Sequence, residues 1–242
     1  MTNPALLEEL APHGVLRAGI NMSNFLLVTS RSSNGDPEGV SPDMAAAIAK
    51  RLGVPLKLIP FASPGMVADA GGTDTWDIGL IGAEPQRAAK IAFTAAYAEI
   101  EATYLVPAGS TITKIADVDQ AGKRVAVSGR SAYGLWLERN LAHAELIRAD
   151  TLDDATALFM QGGFDALAGL RTGLLADISK MPGARILDGQ FTAVQQAVGC
   201  TRGLDAAEAF LRDFVEEAKA SGLVARLIAK HGVAGLSVAG SH

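Results

Sequence analysis

Cysteine and histidine are scarce in this sequence, and their scarcity excludes several kinds of site. Cys200 is the single cysteine among 242 residues, so the chain forms no intramolecular disulfide and no cysteine-based metal site. The four histidines, His13, His143, His231 and His242, lie far apart, and no two are four residues apart. We therefore expect no zinc site, and we predict a protein without metal or cofactor.

Long apolar runs and clusters of basic residues are also missing. No apolar run reaches the roughly 20 residues that a helix needs to cross a bilayer. The 21 basic residues are scattered among 26 acidic ones, giving a net charge of −5, whereas a nucleic-acid surface requires clustered Lys and Arg. We predict no nucleic-acid partner and no membrane insertion. The 49% hydrophobic content nevertheless indicates a folded, globular chain.

The N-terminal stretch "MTNPALLEELAPHG" does not have the features of an export signal. It has no basic start, no long apolar segment and no small-residue cleavage site. We expect a periplasmic protein if an export signal has been removed from this chain, and a cytoplasmic one if the chain is complete.

Apolar runs alternate with helical patterns in the first part of the chain. Residues 15–20, 56–61 and 77–83 have the composition of strands, and residues 41–53 have a helical apolar face. In that helix, Ser41 suits the N-cap and Gly53 suits the position after the last turn. The order of strand, helix and strand predicts a parallel sheet covered by helices.

A second series of the same kind follows. Strands are expected at 124–128, 144–149 and 165–170, with helices after 129 and at 151–163. The extended runs 101–106 and 194–200 bracket this series. We predict an α/β fold of two lobes joined by two crossing strands, with residues 1–104 and 197–242 in lobe 1 and residues 105–196 in lobe 2. A ligand cleft is expected between the lobes.

The order of these motifs resembles the type II periplasmic solute-binding proteins that serve polar amino-acid ABC transporters, bacterial extracellular solute-binding protein family 3. The similarity is carried by "GVLRAGI", "GVSPDMAAAIAKRLGVPLKLIPF", "WDIGLIGAEPQRAAKIAFTAAY" and "GKRVAVSGRSAYGLWL". It extends from Gly14 to about Gly232. The resemblance implies a two-lobed fold that closes on a small solute for delivery to a membrane permease.

The resemblance also implies ligand-binding residues in both lobes. In that family the arginine matching Arg87 makes a forked contact with the ligand carboxylate, and we place Gly82 in the same site. Residues matching Gly129 and Ser131 complete the grip from the second lobe, where Arg130 would add a cation. From the residues alone, a solvated Arg87 paired with Glu84 is the favoured interpretation, whereas Arg130 could equally face solvent. Ser131 could act as a simple helix cap, a role compatible with ligand binding.

Three departures from the family pattern change the expected ligand. The acid that binds the ligand's α-ammonium is replaced by Leu170, beside Arg171. Glu84 stands where Thr or Ser is usual; it could take the ammonium, partly neutralise Arg87, or be an exposed charge. The aromatic clamp after the first strand is reduced to Phe25, with Asn21 and Asn24 nearby.

Alternation along the second crossing strand places either Gln195 or Gln196 toward the cleft. We assign Gln196 to the ligand site, together with Arg171. These features predict a small carboxylate with polar substituents and no conventionally held α-amine; a non-standard amino acid held through Glu84 is the next choice.

Three function classes remain open. The first is a binding protein without catalysis for an ABC-type uptake system, with a permease as partner. The second is a dehydratase of the cyclohexadienyl or arogenate type, which uses the same fold and needs a carboxylic acid such as Glu84, Glu99 or Glu101 as proton donor. The third is a cytoplasmic ligand sensor, ranked last because only about 14 residues precede the first strand, too few for a helix-turn-helix.

Overall fold

A computed structural model of the protein describes residues 4–240; His242, the last of the four histidines, lies outside that range. The chain divides into two compact units. Unit 1 comprises the residues up to 99 and those from 195 onward, and unit 2 comprises residues 100–194. Among the described residues, no helix is long and apolar enough to span a membrane.

Within the described part of the chain, unit 1 contains five helices and seven of the strands. The helices are α1 (Pro4–Leu10), α2 (Val40–Leu52), α3 (Pro64–Asp69), α7 (Asp205–Ala220) and α8 (Leu223–Lys230). The strands are β1 (Leu16–Asn21), β2 (Ser30–Arg31), β3 (Pro37–Glu38), β4 (Leu56–Phe61), β5 (Ile78–Gly82), β6 (Ile91–Phe93) and β13 (Ser237–Val238).

The sheet of unit 1 is parallel at its centre, as the sequence predicted. Strand β1 lies between β4 and β5 and runs parallel to both. The long strand β12 (Thr192–Thr201), through which the chain returns from unit 2, pairs antiparallel with β5 and with β6. Val67, Trp76, Ile81 and Ile91 pack into one apolar cluster of this unit.

Unit 2 repeats the arrangement on a smaller scale. Its strands are β7 (Ala98–Val106), which begins in unit 1, β8 (Arg124–Ser128), β9 (Glu145–Ala149), β10 (Ala166–Leu170) and β11 (Arg185–Ile186). Its helices are α4 (Ala132–Asn140), α5 (Leu152–Met160) and α6 (Arg171–Asp177), with 3₁₀ turns at Ile115–Asp117 and Ile178–Lys180. Strand β8 lies between β9 and β10 and is parallel to both, while β10 and β11 pair antiparallel with β7.

Several predicted helix ends are confirmed. Gly53 follows α2 in the left-handed conformation, with φ 74°. Thr151 caps α5 by accepting a hydrogen bond from the Asp154 amide at 3.0 Å, and Ser131 caps α4 in the same way. These residues work locally, because each satisfies backbone groups of the adjacent turn.

The predicted N-cap of α2 is wrong. The helix begins at Val40 after Gly39, so Ser41 lies inside the first turn. The Ser41 amide donates to the Leu27 carbonyl at 3.1 Å, and its hydroxyl lies 3.3 Å from the Tyr97 hydroxyl. A side chain at Gly39, whose φ is 151°, would collide with the Leu27 carbonyl. Contacts with distant segments, rather than capping, set the start of this helix.

Candidate functional site

In unit 1, the predicted site residues follow the ends of neighbouring strands. Strands β1 and β5 are parallel, so their carboxyl ends, at Asn21 and Gly82, lie at one edge of the sheet. Gln196 joins them, because β12 pairs with β5 and places this residue opposite Gly82. Ligands of α/β proteins bind outside the carboxyl ends of parallel strands. We call Asn21, Gly82 and Gln196, together with the loops after β1 and β5, the unit 1 edge.

Arg87 lies in a series of turns after β5 and is buried, with 6% of its surface exposed. Its Nη1 donates to the Gly82 carbonyl at 2.6 Å. The pairing of β5 with β1 stops at Leu80. The Gly82 carbonyl therefore lies past the last paired residue and accepts a hydrogen bond from the arginine instead of from β1. The guanidinium is therefore fixed at the carboxyl end of β5, and Arg87 is not a surface charge.

Glu84 is also buried, with 8% of its surface exposed. Its carbonyl accepts the Arg87 amide at 2.9 Å, which closes the first turn after the strand. The interpretation of Glu84 as an exposed charge is wrong. The unit 1 edge therefore carries an acid and a base three residues apart, both largely withdrawn from water.

The loop after β1 is shaped by its own asparagines. Asn21 Oδ1 accepts from the Ser23 amide and hydroxyl, at 3.2 and 2.8 Å. Asn24 is 7% exposed, and its Oδ1 accepts from the Leu26 amide at 3.2 Å. Both side-chain oxygens thus hold the turn, while the side-chain nitrogens donate to no described residue. Phe25, 43% exposed, stands at the surface of this loop.

Two further groups bear on the unit 1 edge. Gln196 is 4% exposed, whereas Gln195 is only half-buried, so Gln196 is the inward member of the pair. Tyr97 has no exposed surface, and burial raises the pKa of its phenol well above the usual value near 10 despite the hydrogen bond with Ser41.

In unit 2, the predicted residues follow β8. The Gly129 amide donates to the Ala149 carbonyl at 2.8 Å, which ties the loop to β9. Arg130 is exposed and has φ 60°, a left-handed conformation that is uncommon outside glycine. Ser131 is 8% exposed; its hydroxyl donates to the Ser128 carbonyl at 2.8 Å and accepts from the Gly134 amide at 3.0 Å. Ser131 thus performs the predicted capping role.

The end of β10, parallel to β8, carries the position where the family acid is expected. Leu170 occupies it, and the Arg171 Nε donates to Glu101 Oε2 at 2.7 Å. The same guanidinium donates to the Gly189 carbonyl and, at 3.4 Å, to the Leu187 carbonyl. Arg171 is therefore engaged within unit 2, and Glu101 is its counter-ion. This pairing could not be predicted from the sequence, because the two residues are 70 positions apart.

Thr172 is a further residue of this region that was not predicted. Among the described residues, its Oγ1 is the buried side-chain oxygen that has no hydrogen-bond partner. Its position two residues after the end of β10 was the signal that could have drawn attention to it. As for metals, residues 4–240 contain no group of three or more His, Cys, Asp and Glu side chains placed to hold an ion.

Comparison of the sequence with known families gives one match. Residues 16–234 match the family described as bacterial extracellular solute-binding proteins, family 3. A search of curated protein sequences finds no match.

Solved structures resemble the chain over nearly its whole length. They include a mutant of ArgBP from T. maritima, with a TM-score of 0.72 and 23% identity over 94% of this chain and 99% of that one. AbpA from Streptococcus pneumoniae, an amino acid ABC transporter substrate-binding protein bound to L-arginine, has a TM-score of 0.73 and 19% identity, covering 94% and 99%. The ancestral amino acid-binding protein AncCDT-1, a precursor of cyclohexadienyl dehydratase, has a TM-score of 0.71 and 22% identity, covering 93% and 98%. At these identities the similarity shows the fold, which is the predicted type II periplasmic-binding-protein fold.

Proposed function

The chain belongs to the bacterial extracellular solute-binding proteins, family 3, and we propose that it serves an ABC-type uptake system by binding a small, polar, carboxylate-bearing ligand. The observation that carries the proposal is the buried Arg87, held by the Gly82 carbonyl at the carboxyl end of β5. A membrane permease is the proposed protein partner. The proposed location is the periplasm, in keeping with the extracellular character of the family.

The chemistry of Arg87 explains why a carboxylate is the proposed ligand group. A guanidinium is planar and matches a carboxylate through paired N–H donors. Such a contact is stronger where water is excluded, and only 6% of Arg87 is exposed. Its bond to Gly82 restrains the guanidinium before a ligand arrives, which reduces the entropy lost on binding.

The unit 2 residues argue against a conventionally held α-ammonium. Leu170 offers no charge, and the carboxylate of Glu101 is already bound by the adjacent Arg171. An ammonium at this end of β10 would have to compete with Arg171 for the Glu101 carboxylate, so it would lack an anionic partner of its own. We therefore propose an organic acid as the ligand. A non-standard amino acid whose ammonium is taken by the buried Glu84 is the second choice.

Calorimetric titration of the purified protein tests this proposal. The panel consists of L-malate, succinate and L-lactate, together with L-glutamine, L-histidine and L-arginine. We expect an organic acid to bind, and we expect Arg87→Lys, which keeps the charge but loses the planar fork, to weaken that binding at least about tenfold. Arg212→Lys, at an exposed arginine of α7, is the matched control and should bind as the wild type does.

Two results would contradict the proposal. Tight binding of L-glutamine or L-histidine would show that the site binds the α-ammonium of a standard amino acid. Equal affinity in Arg87→Lys and wild type would remove the arginine from the carboxylate contact.

A dehydratase is the second candidate function, favoured by the burial of Glu84. A carboxylic acid withdrawn from water can donate a proton to a departing hydroxyl group. The structural similarity to the dehydratase precursor AncCDT-1 is compatible with this candidate. Incubation with prephenate and with arogenate tests this candidate. Turnover of either compound that is abolished by Glu84→Gln would establish an enzyme. If both compounds remain unchanged, the dehydratase is excluded and the binding protein is the remaining function.

A further inference from the structure

Asn21, at the end of β1, uses one end of its side-chain amide in its own loop and leaves the other end open. Its Oδ1 accepts from the Ser23 amide at 3.2 Å and from the Ser23 hydroxyl at 2.8 Å. Because a backbone amide can only donate, the oxygen must face Ser23, and the orientation of the carboxamide is fixed. The outward end is therefore the N–H₂ group.

This N–H₂ group is accessible and uncommitted. Within residues 4–240, Asn21 Nδ2 donates to no other group. Thr172 Oγ1 is the buried side-chain atom of this range that has no partner, so Nδ2 of the partly exposed Asn21 retains contact with solvent. Asn21 consequently offers N–H donors, and no acceptor, to a ligand.

The bond between Arg87 and the Gly82 carbonyl lies on the side of β5 that faces β1. The Ala83 amide donates to the Gln195 carbonyl at 2.8 Å, so Ala83 faces β12. Backbone groups of successive residues point to opposite sides of a strand. The Gly82 carbonyl therefore faces β1, and so does its bond to Arg87 Nη1 at 2.6 Å.

The register of β1 and β5 brings Asn21 close to this bond. The two strands are aligned with Ile20 opposite Leu80. Asn21 is the next residue of β1, and Gly82 lies one step further along β5 than the residue beside Asn21. With about 4.8 Å between strands and about 3.3 Å per residue, the Cα atoms of Asn21 and Gly82 are about 6 Å apart.

The local hydrogen bonds place the guanidinium beside the carboxamide. If β1 continued, the Gly82 carbonyl would accept from the Ser23 amide. That amide instead donates to Asn21 Oδ1, and Arg87 Nη1 donates to the Gly82 carbonyl in its place. The Asn21 carboxamide and the Arg87 guanidinium are therefore neighbours at the carboxyl end of β1.

These neighbours select for oxygen atoms that only accept hydrogen bonds. A guanidinium has no acceptor, and the outward end of Asn21 has none either. When a carboxylate lies on Arg87, a carbonyl oxygen on the next carbon can accept from Asn21 Nδ2. A hydroxyl brings a proton that these donors do not need, a hydrogen leaves Nδ2 unpaired, and an ammonium turns donors toward donors.

We infer that Asn21 is a specificity-determining residue whose N–H₂ group binds a carbonyl oxygen next to the ligand carboxylate, so that the preferred ligands are 2-oxocarboxylates. This inference rests on the proposed function, since it assumes that Arg87 holds the carboxylate. It adds the second ligand group and the residue that selects it.

Two sets of matched acids test the inference by calorimetry. Pyruvate, L-lactate, propionate and L-alanine carry an oxo, a hydroxyl, a hydrogen and an ammonium group, respectively, at the carbon next to the carboxylate. The larger set is 2-oxoglutarate, L-2-hydroxyglutarate, glutarate and L-glutamate. The wild type should bind the oxo acid of at least one set about tenfold or more tightly than its deoxy and amino counterparts, because a polar site rejects analogues that leave its groups unpaired.

The variant Asn21→Asp retains the size of the side chain and the oxygen that accepts from Ser23, and replaces the N–H₂ group by an oxygen. A new negative charge near Arg87 weakens the binding of every carboxylate, so the affinity ratios within a set are the measurement. The ratio of oxo to deoxy acid should fall to about one or below, and the ratio of amino to oxo acid should rise at least about tenfold. Asn34→Asp, in the exposed loop between β2 and β3, adds the same charge and should keep the wild-type ratios.

The outcomes distinguish this inference from the proposed function. Binding of carboxylates without an oxo preference, or a preference that persists in Asn21→Asp, would overturn the inference alone. A hydroxy or amino acid that binds the wild type more tightly than its oxo counterpart would also overturn it. If no acid of either set binds and Arg87→Lys has no effect, the proposed function fails, and the inference fails with it.

Discussion

Arg17 offers a direct measure of what a buried ion pair contributes to unit 1, because the same guanidinium contacts one buried and one exposed carboxylate. Asp77 has 3% of its side chain exposed, and Asp74 has 72% exposed. Asp77 Oδ2 accepts from the Arg17 amide at 2.7 Å and from Nε at 3.1 Å, and Oδ1 accepts from Nη2 at 2.7 Å. These contacts raise the pKa of Arg17 above its usual range, chiefly through Asp77.

The substitution Asp77→Asn keeps the shape of the side chain but removes its charge and turns an N–H₂ group toward N–H donors. Breaking this buried pair from one side leaves Arg17 with the exposed Asp74 as its remaining counter-ion, so we expect the free energy of unfolding to fall by about 2–3 kcal/mol, less than for a fully uncompensated buried charge. Asp74→Asn is the matched control. Asn tolerates the left-handed conformation of this position, φ 57°, and an exposed pair contributes little, so its stability should be nearly that of the wild type.

Urea unfolding followed by tryptophan fluorescence measures both variants. Trp76 is 2% exposed and directly precedes Asp77, and a Trp136→Phe background leaves it as the reporter of unit 1, since the chain has two tryptophans. Equal losses of unfolding free energy in Asp77→Asn and Asp74→Asn would refute the prediction that the buried contact contributes more than the exposed one. A loss below about 1 kcal/mol in Asp77→Asn would refute the argument from charge.

Two further predictions concern other buried or partly buried groups of unit 1. Burial raises the pKa of the Cys200 thiol to about 12, so at pH 8 only about one thiol in 10⁴ is ionised. Ellman's reagent should therefore react with Cys200 only as fast as unit 1 opens. Rapid labelling of the native protein would contradict this prediction. Burial tends to raise the pKa of Asp43, but hydrogen bonds from Lys230 and His231 outweigh that effect and hold the pKa below its usual value near 3.8. The stability that this cluster contributes is present above about pH 4 and is lost as the pH falls through the lowered pKa of Asp43. Asp43→Asn should therefore lower the melting temperature at pH 6 and make that temperature decline less steeply in acid. An unchanged dependence of the melting temperature on acid pH would contradict the assignment.

The parts of the fold that could be predicted are those encoded within one or two turns of chain. Thr151 and Ser131 cap their helices because each hydroxyl is adjacent to the amides it accepts from. The start of α2 could not be predicted, because Ser41 does not cap its own helix and forms hydrogen bonds with Leu27 and Tyr97 instead. The short elements α1, α3 and β6 were missed, since they are stabilised by packing rather than by a periodic apolar face.

The candidate site divides in the same way. That Arg87 follows a strand and a proline could be seen in the sequence, but the local residues alone favoured a solvated arginine. The structure shows Arg87 and Glu84 to be buried, because the loop after β5 is packed into its unit, and burial of that kind has no local signal. Likewise, the pairing of Arg171 with Glu101 depends on β10 and β7 lying side by side.

By itself, the sequence determined the α/β class, the parallel order of the strands, several helix ends, and the chemical types available for a ligand: an arginine, a glutamate, amides and hydroxyls. These follow from periodicity, local hydrogen bonding and composition. Only the tertiary structure decided which of these groups are withdrawn from water and which are already paired. It places Gln196 opposite Gly82 and holds Arg87 on the Gly82 carbonyl. The reason is physical: strand register and burial are set by contacts between segments that are distant in the chain, as between Gly82 and Gln196, and such contacts leave no periodic trace in either segment.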